Sequence, residues 1–133
     1  MAYEARTSLS FDDAVEALRT TARMRGVEIL NELDFTEFLG RHGVAVGTRM
    51  LVCDVCKPAL VGEVLASNPA LVAALPCRIA VREVANGAIY SCMLLGDLAR
   101  AAGLAPIPAS VEKMTRGLVG LIDEAAQMRI SRV

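Results

Sequence analysis

Between Tyr3 and Phe11 the chain alternates, with Tyr3, Ala5, Thr7, Leu9 and Phe11 on one side, and this period of two predicts a first strand. The period then lengthens. Ser10 stands as a helix N-cap, Asp12 and Asp13 follow where the helix dipole favours acids, and Ala14, Val15, Ala17, Leu18, Ala22 and Met24 form one stripe that Gly26 ends. A second strand is predicted over residues 27–33, with Val27, Ile29 and Leu33 on one face, and a short helix over 34–39. Gly40, Gly43 and Gly47 mark a loop before a third strand over 48–55. Pro58 opens a helix over 58–66, which Ser67-Asn68-Pro69 breaks because proline disfavours a helical residue before it. A short helix over 70–75 follows. Strands over 77–84 and 88–95 flank Asn86-Gly87, a strong hairpin signal, and helical turns over 97–102 close this part at Gly103.

Pro106 and Pro108 stiffen residues 104–109 into a connector, after which Ser110 is expected to cap a last helix reaching about Ile130. Its apolar positions, Val111, Met114, Leu118, Leu121, Ala125 and Met128, recur at alternating intervals of three and four, a seam suited to the chain's own sheet or to a partner subunit. The predicted organisation is a single α+β domain over 1–103, a connector over 104–109, and a C-terminal helical segment over 110–133 packed on the domain or on a partner.

Composition narrows the function classes. At 133 residues one core suffices without disulfide or metal staples. Apolar residues make up 54%, which excludes disorder and leaves apolar surface for self-association, so a homodimer is expected. A net charge of −1 gives no footprint for nucleic acid or an anionic membrane. Glu63, Asn68, Gly62 and Pro69 interrupt the longest nearly uncharged stretch, 58–77, so no membrane span is expected. No secretory leader follows Met1, which points to a cytoplasmic location and reduced thiols.

The residues with chemical promise are cysteines. Cys56 leaves a strand and enters a helix, where backbone amides and the helix dipole favour a thiolate, and Lys57 adds a positive charge. Cys53, three residues earlier, could close a redox pair with it or share a soft metal such as zinc or copper(I), but in an extended strand the two point to opposite faces. The alternative is that both are small buried hydrophobes. A straight helix from Cys56 to Cys77 would hold them roughly 27 Å apart, so Cys77 joins Cys56 only if the chain folds back at Asn68-Pro69. With Asn86-Gly87 as a two-residue turn, Val81 faces Cys92, and Cys77 and Cys92 lie roughly 13 Å apart along one face. The single histidine, His42, reads as a solvated loop residue, and Arg78 and Arg82 as a solvated face opposite Cys77. Glu83 and Asp97 have no evident acid–base partner, and nucleotide-binding, serine-hydrolase and zinc-protease motifs are absent.

Cys56-Lys57-Pro58, then Leu75-Pro76-Cys77 opening the alternating run Arg78 to Glu83, then Asn86-Gly87, resembles the domain of unknown function 302 family, in which a Cys-Asn-Pro-like motif opens a helix and a Leu-Pro-Cys motif opens a strand. Phe11, Gly26, Val27 and Asp34 agree with the same pattern, so the resemblance spans about residues 3–95 and leaves 103–133 outside it. It implies a two-layer α+β sandwich, similar to the TATA-binding-protein architecture, with helices on one face of a mostly antiparallel sheet, dimers, and attention to Cys56 and Cys77. It supplies no reaction. Lys57 replaces the usual asparagine, and Cys53 is an added thiol. Three readings follow: a thiol site for sulfur, redox or soft-metal handling centred on Cys56 with Cys77 or Cys53 as partner or co-ligand; a non-catalytic dimeric module binding a small ligand or cofactor near Met50, Tyr90 and Met93; and an assembly subunit that docks through its last helix.

Overall fold

The computed structural model describes residues 2–130; the last three residues of the C-terminal segment lie outside it. The elements run β1 (Ala2–Thr7), α1 (Phe11–Met24), β2 (Glu28–Asp34), α2 (Phe35–Arg41), β3 (Met50–Cys56), α3 (Pro58–Ser67), a 3-10 helix (Pro69–Ala74), β4 (Cys77–Val84), β5 (Gly87–Met93), α4 (Leu95–Ala101) and α5 (Ala109–Gln127). The strands form one antiparallel sheet in the order β1-β5-β4-β3-β2. The fold is the expected two-layer α+β arrangement with helices packed on the sheet. Among the described residues no helix is long and apolar enough to cross a membrane.

Because β1 and β2 occupy opposite edges, the intervening α1 must pass across the sheet. Its ends are set locally. Ser10 accepts the Asp13 amide, and Gly26, at φ +68°, completes a C-terminal motif in which Val27 N–H donates to the Ala22 carbonyl at 2.9 Å. Phe11, Ala14, Val15, Leu18 and Ala22 bury the inner face, whereas Met24 lies outside the expected stripe and is exposed. At the sheet centre the buried Tyr90 hydroxyl donates to the Ala14 carbonyl at 2.6 Å.

Helix α5 joins the same core. Val111, Met114, Leu118, Leu121, Ile122 and Ala125 are buried against α1 and the sheet, and the Tyr3 hydroxyl of β1 donates to Asp123. The cap differs from expectation. Pro108 is the N-cap, and Ser110 falls inside the first turn, where its hydroxyl is buried with no hydrogen-bond partner among the described residues.

Two further corrections concern register. A bulge between Ile29 and Asn31 makes Leu30 an extra, exposed residue and reverses the facing of the rest of β2. Leu33 therefore pairs with Val52 on the face away from α1, and does not share the face of Ile29. Glu32 instead takes the core side, opposite Cys53, where Arg19 of α1 clasps it through Nε at 2.9 Å and Nη2 at 2.6 Å. In the β4–β5 hairpin, Val84 pairs with Gly87, so the turn residues are Ala85 and Asn86. Asn86 supplies the positive φ, and Gly87 belongs to the strand, where an added Cβ would come within 2.0 Å of the Thr7 carbonyl oxygen of β1. Val81 consequently pairs with Tyr90, and Cys92 comes level with Ile79 beyond the last ladder pair, Ala80–Ser91. Cys77 and Cys92 are then diagonal neighbours, about 7–8 Å apart rather than four residues apart along the strand.

Candidate functional site

Strands β3 and β4 are adjacent and antiparallel, so the α3 and 3-10 helix connection between them has to return to its starting end. Asn68 organises that return. Its side chain caps the 3-10 helix by accepting the Ala70 amide at 3.2 Å, and its Nδ2 donates to the carbonyls of Leu104 and Pro106 at 2.9 and 2.7 Å. The chain re-enters the sheet with Cys77 paired to Val55, next to Cys56. The fold-back at Asn68-Pro69 therefore brings residues 56 and 77 to one end of the sheet.

The four cysteines are free and differ in setting. Cys53, Cys77 and Cys92 lie on the helix-covered face, at 0, 8 and 4% exposure. Burial pushes each thiol up: Cys53 to about 12, Cys77 and Cys92 to about 11, with Glu32 adding to the effect at Cys53 and the neighbouring Cys92 and Cys56 adding to it at Cys77. Cys56, at the end of β3 and one residue before the Lys57 N-cap of α3, is half-buried. The odd spacing from Cys53 has the consequence expected of a strand. Cys53 stays with Leu51 and Val55 in the core, and among the described residues no group of three or more His, Cys, Asp or Glu side chains could hold a metal ion. Cys53, Cys56 and Cys77 thus do not converge as a three-ligand site.

Cys56 and Cys77 line a cavity of about 130 Å³ between the β3–α3 junction and α5. Its walls are apolar, from Val27, Val55, Leu60, Val61, Leu118 and Leu121. Met114 of α5 closes the floor, its Sδ 3.7 Å from the Cys77 Sγ. Three cations reach the rim. Arg25 lies across Gly120 of α5 and pairs with Glu124 at 3.2 Å, while Lys57 and Lys113 have no ion-pair partner among the described residues. Sulfur inside, hydrocarbon around it and positive charge at the mouth suit a small soft or anionic ligand.

The remaining sequence candidates fall elsewhere. His42 is exposed, donating from Nδ1 to the Phe38 carbonyl at 3.0 Å and resting on the Phe38 ring. Arg78 and Arg82, on the face away from the helices, pair with Asp54 and Glu4. Glu83 accepts the Arg49 amide at 3.5 Å, and Asp97 pairs with Arg100 at 3.6 Å. Met93 borders a second, larger cavity of about 610 Å³ with Ala2, Val52, Ala80 and Ser91, whereas Met50 lines neither cavity and Tyr90 is closed into the core. Sequence reasoning did not place Met114, Lys113 and Arg25 at the thiols. The α5 seam marks Met114 as inward-facing, but nothing local says which strand end it covers.

The architecture defines a two-layer α+β protein with a thiol-lined cavity under its C-terminal helix. The chain belongs to the family described as domain of unknown function DUF302, which matches residues 3–125. That match carries the family through α4, the connector and most of α5, beyond the limit near residue 95 expected from the motifs. A crystal structure of an uncharacterised conserved DUF302 protein from Bacillus stearothermophilus is similar, with a TM-score of 0.84 at 22% identity, covering 93% of this chain and 97% of that one. At that identity the likeness speaks for the fold. No curated protein matches the chain.

Proposed function

We propose that this chain uses Cys56 as the working thiol of a site for sulfur, redox or soft-metal handling, with Cys77 as its buried neighbour. The observation that carries the reading is the contrast among four thiols: three are buried in the core, and Cys56 alone is partly exposed, on a cavity bordered by Arg25, Lys57 and Lys113. A thiol reacts only where it can be reached and ionised. The N-terminal end of α3 and the two lysines, which have no ion-pair partner among the described residues, both favour an anionic ligand at this place. Cys53 has no part in the reading, because it sits on the core side beneath Arg19 and Glu32.

The test is alkylation of the folded, reduced chain followed by peptide mapping. Cys56 is expected to react at least ~10-fold faster than Cys53, Cys77 or Cys92. An anionic disulfide reagent is expected to outpace a cationic one of the same size, a preference that Lys57→Glu with Lys113→Glu reverses. Equal protection of all four thiols, or indifference to reagent charge, defeats the reading.

A further inference from the structure

We infer that the cavity between the β3–α3 junction and α5 binds a small amphipathic anion, an alkyl carboxylate with a tail of about six carbons in the first instance. The inference rests on the reading of this cavity as the working site and names the class of ligand it takes; recognition uses hydrocarbon and charge, and no sulfur chemistry. The size follows from the volume. About 130 Å³ is close to the roughly 150 Å³ of a core cavity that admits benzene, so a body of about six carbons fits. Val27, Leu60 and Val61 line it while only partly buried, so the hydrocarbon wall is open to an incoming tail. Gly117 of α5 borders the same space. Glycine is unfavourable inside a helix, and no close packing calls for it here: an added Cβ would meet nothing within 4 Å, whereas at Gly120 one would run into the Arg25 guanidinium at 2.8 Å. The missing side chain at 117 leaves room for a ligand.

Charge selects the head group. The chain as a whole is balanced, with 14 lysines and arginines against 15 aspartates and glutamates, yet Arg25, Lys57 and Lys113 line the cavity and no acid does. The three come from separate parts of the chain, the C-cap of α1, the N-cap of α3 and the second turn of α5. Glu124 pairs with Arg25 at 3.2 Å, and the two lysines have no ion-pair partner among the described residues. A carboxylate at the mouth is attracted by all three cations, while its tail leaves water for the apolar wall. A cation is repelled by the same rim, and a neutral molecule of the same shape keeps only the hydrocarbon contribution. The larger cavity of about 610 Å³ offers no such choice, because its one charged lining residue, Arg78, is already paired with Asp54.

The decisive experiment is a titration of the reduced full chain with butanoate, heptanoate and decanoate, followed by amide and methyl chemical shifts. Saturable binding of heptanoate is expected, with shifts at Leu60, Val61 and Leu118. Affinity should rise by up to about four-fold per methylene from butanoate to heptanoate and level off at decanoate, whose tail exceeds the cavity. Heptan-1-ol and heptylamine should bind at least ~10-fold more weakly than heptanoate. Lys57→Gln and Lys113→Gln should each lower heptanoate affinity by about two- to five-fold, and Arg78→Gln should leave it unchanged. Gly117→Leu should keep the fold, since open space surrounds that position, and weaken heptanoate at least ~10-fold by filling the cavity. Equal affinity for heptanoate and heptan-1-ol, affinity still climbing at decanoate, or full binding by Gly117→Leu overturns the inference. Selective Cys56 alkylation in a chain that takes up no heptanoate overturns the ligand class while the thiol reading stands. Saturable heptanoate binding in a chain whose Cys56 reacts no faster than its buried thiols defeats the thiol reading and leaves the ligand class in place.

Discussion

Raising the pH measures how firmly the buried thiols are built into the core. In the unfolded chain a cysteine ionises around pH 8.5. In the folded chain burial holds Cys53 neutral to about 12 and Cys77 and Cys92 to about 11. A raised folded-state value means that the stabilisation is complete below the unfolded value, declines as pH rises above it, and is gone at the folded value. At about pH 10 each unfolded thiol has gained roughly 2 kcal/mol from ionisation that its buried counterpart cannot share, so the three together remove about 6 kcal/mol. That is comparable with the whole stability of a domain, about 5–15 kcal/mol. The perturbation that isolates one thiol is Cys53→Ala. At about pH 7.5 the variant should be less stable by roughly 1–2 kcal/mol, for the lost packing of a fully buried sulfur. At about pH 10 it no longer carries that ionisation cost, and the gap should close by about 2 kcal/mol or change sign. Urea denaturation under reducing conditions at both pH values gives the comparison. A gap of the same size at both refutes the claim that burial suppresses ionisation of Cys53.

Two other side chains carry predictions of their own. The clasp of Arg19 on Glu32 holds the Glu32 carboxyl below the usual carboxylate range. Its contribution is therefore present at neutral pH and lost as pH falls through the lowered value, so Glu32→Gln should cost about 1 kcal/mol near pH 7, discounted for the partly exposed arginine, and progressively less as pH falls below the usual carboxylate range in denaturant titrations. Asn68→Ala removes the cap of the 3-10 helix and both side-chain bonds to the connector. It should lower stability by roughly 2–3 kcal/mol and raise hydrogen exchange at residues 70–75, and unchanged exchange there would refute the anchoring role.

Much of the fold is written in local pattern. The change from a period of two to a helical stripe after Ser10, the capping of α1 by Ser10 and Gly26, the breaks at Asn68-Pro69 and around Asn86-Gly87, and the inward seam of α5 all depend on residues within a few positions of one another, and such neighbours report how a segment will be dressed. The same logic separates Cys53 from Cys56, because an odd spacing along a strand sends side chains to opposite faces. What local pattern cannot hold is partnership. The bulge at Leu30 inverts the facing of Glu32 and Leu33, and it is legible only with β3 beside β2 and Arg19 overhead. The hairpin register follows from Gly87 lying against Thr7 of a strand far away in sequence, so the Asn-Gly pair alone places the turn one residue too late and each cross-strand partner two residues out of step. The site repeats the lesson. Its cysteines stand out as residues, but the cavity exists because strand pairing brings Cys77 beside Cys56 and because α5, with its connector held by Asn68, sets Met114 and Lys113 over that end of the sheet. The chain by itself determined most of the inward faces, with Met24, Glu32 and Leu33 as exceptions; which inward-facing residues meet is decided by packing between segments, where contacts 20 to over 100 residues apart carry no mark in the local order of the chain.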